Sequence, residues 1–87
     1  MINIKQYIME YYPDEGEDLI VYDGLDEAFT GIGYIFHKAF VCYRKDKIIE
    51  MLMRDCMTYD EAIEYFEFNI AGLYAGERTP VLIEEIV

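Results

Sequence analysis

The chain has 87 residues, enough for one domain that buries roughly 60–65% of its unfolded surface. Hydrophobic residues make up 54% of it, with nine Tyr and five Phe, which excludes an apolar-poor disordered segment. Eighteen acids against seven Lys plus Arg give a formal net charge of −11. That sign argues against direct contact with nucleic acid or an anionic membrane and favours a basic protein surface as partner.

No apolar run approaches the roughly 20 residues that span a bilayer. The start, Met1-Ile-Asn-Ile-Lys-Gln, has neither a basic region nor an apolar core of the signal-peptide kind, and neither end carries a lipidation pattern. A cytoplasmic protein is the expectation. Cys42 and Cys56 are too few and too far apart for a zinc site, and in a reducing compartment both are expected to be buried free thiols.

Ile4, Tyr7, Ile8 and Tyr11 recur at helical spacing after Asn3, so a helix is expected over 3–12 with Asn3 as its N-cap. Pro13 stops it, and residues 14–18 form an acidic turn. Leu19-Ile-Val-Tyr22 reads as a short strand closed by the turn dipeptide Asp23-Gly24. A second strand is expected over 29–36, with Gly31 and Gly33 on one face and room there for a close neighbour. A turn at His37-Lys38 returns it through Ala39–Tyr43, and a short helix over 25–29 is the competing reading of its start.

Asp46 is placed to cap a helix running to about Cys56. Ile49, Leu52, Met53 and Cys56 form its expected core stripe, with Glu50 and Arg54 as an i,i+4 ion pair. Ile48 and Met51 widen the apolar arc, which implies burial between two layers or an interface. Thr58-Tyr-Asp-Glu61 is a capping box for a helix to about Leu73, with Ala62, Ile63, Phe66 and Ile70 inward. Gly76 marks its exit, and Val81–Ile83 is a last strand. The fold expected is α+β, order α-β-β-β-α-α-β: a small antiparallel sheet of about four strands covered by a helix pair.

Candidate chemistry is sparse. His37 is the one histidine, expected to be exposed in a turn. A Cys42–His37 dyad is imaginable, but the spacing does not select for contact. Gly31-Ile-Gly33 lacks the third glycine and helix start of a phosphate loop. Asn69, flanked by apolar residues, is expected to be partly buried and to tie its helix to a loop. No catalytic constellation is present, and a non-enzyme without cofactor is the expectation.

Two acidic groups stand out. Asp23, Asp26 and Glu27 cluster after a strand, an arrangement that turn formation explains and that a hard divalent cation could also use. Asp60, Glu61, Glu64 and Glu67 give the second long helix an acidic face with no base at i±3 or i±4. Asp60 and Glu61 are favoured by the helix dipole, whereas Glu64 and Glu67 are not. That face reads either as a solvated surface or as a docking face that imitates the charge of a nucleic acid. Residues 10–27 add eight acids and no base, while Lys38, Arg44, Lys45 and Lys47 form a basic edge.

Asp23-Gly-Leu-Asp-Glu-Ala28 with Gly31-Ile-Gly33, then Met57-Thr-Tyr-Asp-Glu-Ala-Ile-Glu-Tyr-Phe-Glu-Phe-Asn69 and Gly76-Glu-Arg-Thr-Pro80, resemble a group of small proteins encoded by tailed bacteriophages and prophages. The resemblance covers residues 19–83, and its most specific part is Glu64–Asn69. The group usually has glycine where this chain has Cys56, a departure at a helix end. The resemblance brings no activity or catalytic residue. It implies a viral setting, in which small acidic proteins often occupy host proteins, including nucleic-acid grooves of defence nucleases.

The expectation is therefore an acidic phage-type protein that binds and blocks a host protein with a basic surface in the host cytoplasm. An anti-CRISPR or other anti-defence inhibitor is the sharpest form of it, with Asp23, Asp26, Glu27, Asp60, Glu61, Glu64 and Glu67 as the contact residues. Two alternatives stand beside it: a small-ligand or divalent-metal-binding domain built on Asp23, Asp26, Glu27 and the glycine-faced hairpin, and a homo-oligomeric structural protein joined through the 46–56 helix.

Overall fold

A computed structural model of the chain describes residues 3–14 and 18–86. The centre of the acidic turn, residues 15–17, lies outside them. The order is helix α1 (Ile4–Tyr11), a 3₁₀ turn (Asp26–Ala28), strands β1 (Phe29–Ile35) and β2 (Lys38–Arg44), helices α2 (Lys45–Arg54) and α3 (Tyr59–Phe66), and strand β3 (Val81–Ile83). One turn of π-helix, Glu67–Ala71, extends α3. The fold is α+β, with a small sheet and helices packed on it.

The sheet has three strands in the order β1-β2-β3, not four. Leu19–Tyr22 is not a strand. Leu19 is in the core and Ile20, Val21 and Tyr22 are half-buried, but the main chain does not join the sheet. The segment is held instead through the Tyr43 side chain of β2. There the Tyr22 amide donates to the Tyr43 hydroxyl at 2.9 Å, and the two rings stack with centroids 5.7 Å apart. The sheet is mixed rather than purely antiparallel. β1 and β2 form a hairpin, whereas β3 pairs parallel to β2, because the α2–α3 crossover returns the chain in the same direction.

Local chemistry sets most element ends. Asn3 Oδ1 accepts from the Gln6 amide at 3.2 Å and caps α1. The 25–29 region forms the 3₁₀ turn that buries Ala28. The hairpin turn is Phe36-His37, one residue earlier than expected, and Phe36 sits at φ 54°. Thr30 is the extra residue of a bulge, since Phe29 faces Tyr43 and Gly31 faces Cys42. A Cβ at Gly33 would lie 2.9 Å from Cys42 Sγ, so this thiol is the close neighbour for which Gly33 leaves room, whereas a Cβ at Gly31 would meet nothing within 4 Å.

α2 differs from expectation in three respects. Arg44 occupies the N-cap position without a side-chain cap. Asp46 lies inside the first turn, where it accepts from its neighbour's amide and binds Arg44 at 2.7 Å. The buried face is Ile48 and Ile49, backed by Met51 and Leu52, while Met53 and Cys56 are exposed. The wide apolar arc is thus largely used inside the fold. Arg54 pairs with Glu27 instead of Glu50, and Glu50 pairs with Lys47 at 3.5 Å. A tertiary partner on the 3₁₀ turn outcompetes the helical neighbour.

The capping box forms as read: Thr58 Oγ1 accepts from the Glu61 amide at 3.2 Å and Glu61 accepts from the Thr58 amide at 2.9 Å. Ala62 and Phe66 join the core, with Ile63 and Ile70 half-buried against it. Helical structure stops at Ala71, two residues short of the expected end. Tyr43, Ile4, Ile48 and Val41 are the largest fully buried side chains, so the core lies between β2 and helices α1 and α2. Among the described residues no helix is long and apolar enough to cross a membrane.

Candidate docking surface

The outward side of α3 and its π-turn carries the site's geometry. Asp60, Glu64 and Glu67 are exposed there, and among the described residues no Lys or Arg side chain pairs with them. Glu61 has another task. Its carboxylate accepts the Thr58 amide, and this bond, then the one from the Thr58 side chain, holds its carboxyl below the usual range. It belongs to the helix cap rather than to the free acidic face.

Aromatic residues interleave with these acids. Phe68 is 76% exposed, and Tyr65, Leu73 and Tyr74 are also outward. Tyr65 and Asn69 form a ridge shared by two grooves. One, of about 420 Å³, is lined by Met57, Glu61, Glu64 and Phe68. The other, of about 350 Å³, is lined by Val21, Leu52, Ile70 and Leu73 with Asp23 at its rim. Asn69 is exposed, contrary to expectation: its amide donates to the Tyr65 carbonyl one turn back at 3.3 Å and reaches no loop. The π-turn packs an extra residue into this stretch.

Asp23, Asp26 and Glu27 line a separate shallow pocket of about 480 Å³ with Lys5 and Met51. They are not equivalent. Asp23 pairs with Lys5 at 3.6 Å. Glu27 binds Arg54, and that hydrogen bond holds its carboxyl below the ordinary range. Asp26 opens the 3₁₀ turn. Among the described residues no three His, Cys, Asp or Glu side chains converge to hold a metal ion. Gly31 and Gly33 do not line this pocket, so the acids and the glycine-faced hairpin do not assemble into one ligand site.

The basic edge is neutralised within the chain. Lys38 pairs with Glu77 at 3.9 Å, Arg44 with Asp46 and Glu85, Lys45 with Glu84 at 3.3 Å, and Lys47 with Glu50. Arg78, not singled out in the sequence, donates to the Ala39 carbonyl at 3.1 Å and lies over the Phe40 ring. Every Lys and Arg therefore has a partner, and the excess negative charge is left on acids such as those of α3. A groove of about 690 Å³ between α2, α3 and the C-terminal segment has an apolar floor of Ile49, Met53, Tyr59 and Ile63. Its rim bases, Arg44, Lys45 and Arg54, are among those already paired.

His37 is exposed at the hairpin turn. Cys42 is buried with its thiol directed at the Phe40 carbonyl 3.7 Å away, and burial pushes its pKa up. A raised pKa disfavours the thiolate that a nucleophile needs. Comparisons of the chain with protein-family models, curated proteins and solved structures find no match.

Residues 23–24, 64–69 and 75–79 differ in role. Asp23-Gly24 makes a turn with Gly24 at φ 86°. Thr79 closes another, its hydroxyl accepting from Ala75 and donating to Gly76. By contrast, Glu64, Tyr65, Glu67, Phe68 and Asn69 are all exposed.

Proposed function

We propose that this is a non-enzymatic docking protein that blocks a basic surface of a host protein, using Asp60, Glu64 and Glu67 as charges and Tyr65 and Phe68 as apolar anchors. The observation that carries the reading is their alternation on one exposed face, uncompensated in a chain whose bases are all engaged elsewhere. Carboxylates spaced along a helix present charge much as a phosphate backbone does to a basic groove. Aromatic residues amid that charge supply the desolvated contacts from which most binding energy comes. Asp23 stands at the rim of the adjoining groove, but it and Glu27 are paired with Lys5 and Arg54, so of that cluster Asp26 adds most to the acidic field.

A tailed-phage or prophage origin, with action in the host cytoplasm, fits both this surface and the resemblance of residues 19–83. A defence nuclease such as a CRISPR effector is the partner class whose groove matches best. The test is capture of basic host nucleases at low salt. Wild-type protein should retain a target that excess duplex DNA displaces, with affinity falling about tenfold or more as NaCl rises from about 0.05 to 0.5 M. The double variant E64K/E67K should lose capture while keeping its helical signal. Capture that ignores DNA, salt and the variant alike would sink the proposal.

A further inference from the structure

β1 is an edge strand: among the described residues it pairs only with β2, so alternate residues aim their main-chain N–H and C=O groups outward. Those groups are satisfied by another extended strand better than by any other protein element. Natural edges are usually blunted by charge, proline or a bulge. β1 has a bulge at Thr30, near its start, but Ile32–Ile35 run regularly against β2 and contain neither charge nor proline. The hairpin tip adds to this. Phe36 is 95% exposed and holds φ 54°, a conformation unfavourable for a bulky side chain, while Tyr34 and Ile35 beside it are also exposed.

We infer that β1 pairs antiparallel with β1 of a second copy, joining two three-stranded sheets into one of six strands and covering the Tyr34–Phe36 tips. Charge selects the second copy over a foreign partner. In a chain of net charge −11, residues 28–36 form a nine-residue stretch without an acidic or basic side chain. Two copies can meet there with their acids held apart, whereas a basic partner finds nothing complementary. A two-fold axis through the middle of β1 opposes each strand's end to the other's beginning, so Phe36 of one copy reaches the Phe29 end of the partner strand. Tyr7 already packs on Phe29 there, with ring centroids 6.0 Å apart, providing an aromatic surface for the tip. The docking face on α3 shares no residue with β1 or the hairpin tip.

The test is sedimentation equilibrium of the full chain across a concentration series. A dimer should form in the micromolar range and tighten as NaCl rises, because screening weakens repulsion between two acidic bodies. That salt dependence is opposite in sign to the one expected for docking to a basic host protein. I35E, which places a carboxylate on the edge, should weaken the dimer about tenfold or more. F36G should weaken it too while raising the thermal midpoint of the monomer, since glycine accepts positive φ and removes the exposed ring. Amides of β1 should gain exchange protection with concentration. A monomer at all concentrations, or a dimer unaffected by both variants, would overturn the inference.

Discussion

Replacing Cys56 with glycine should make the protein more stable, although it removes a side chain and adds none. Cys56 follows the last turn of α2 with φ 75°, its amide donating to the Met53 carbonyl at 3.1 Å, and its side chain is exposed. The left-handed conformation costs a residue with a Cβ roughly 1–2 kcal/mol. Glycine escapes that cost but has more unfolded-state freedom to lose, about 0.4–1 kcal/mol. The difference is a gain of about 0.5–1 kcal/mol, which for a domain of this size raises the melting temperature by about 3–6 °C. Calorimetry or urea unfolding under reducing conditions measures it, with C56A as the control that loses the sulfur but keeps the Cβ. C56A should remain within about 0.5 kcal/mol of wild type, as surface substitutions usually do. If C56A gains as much as C56G, or C56G gains nothing, backbone strain is not what the residue contributes.

Three further outcomes are expected. G33A should cost about 1–3 kcal/mol, since its Cβ would press on Cys42 Sγ at 2.9 Å, and C42A in the same chain should restore part of the loss in a double-mutant cycle. Stability should fall at alkaline pH: burial raises the Cys42 thiol above its ordinary 9.0 and the Tyr43 phenol above 10.0. Their contributions are therefore complete below those values and lost as pH rises through the folded ones. C42A should flatten the first part of that decline in urea titrations, and an unchanged slope would refute the assignment. On the acid side, the lowered Glu61 pKa gives stability that is present above 4.5 and lost as pH falls through the folded value. E61Q, which can keep the capping bonds, should be less acid-sensitive with little change at neutral pH; equal acid sensitivity of the two proteins would count against it.

Where an element is governed by its own neighbours, the sequence was sufficient to read it. Asn3 over α1, the Thr58–Glu61 box and the inward stripe of Ala62 and Phe66 depend on contacts three or four residues apart. The acidic α3 face was legible for the same reason, because helical spacing alone places Asp60, Glu64 and Glu67 outward. Its aromatic half was legible only by exclusion. The inward stripe of Ala62, Ile63, Phe66 and Ile70 leaves Tyr65 and Phe68 outside it, and the structure shows both exposed.

Tertiary competition decided the rest. Leu19–Tyr22 has the composition of a strand, but it is held by side-chain contacts, Tyr22 on Tyr43 and Leu19 in the core, and not by the sheet's main-chain ladder. The helical Glu50–Arg54 pair gives way to Glu27–Arg54, since a carboxylate fixed on the 3₁₀ turn reaches Arg54 from another part of the chain. The acidity evident from composition was likewise only a sum. Folding pairs the basic edge with Asp46, Glu50, Glu77, Glu84 and Glu85, and so determines which carboxylates remain to face a partner. Chain-local spacing determined the helices and the sign of the surface. The pairing of distant groups, which no local pattern encodes, determined where that charge is left uncompensated.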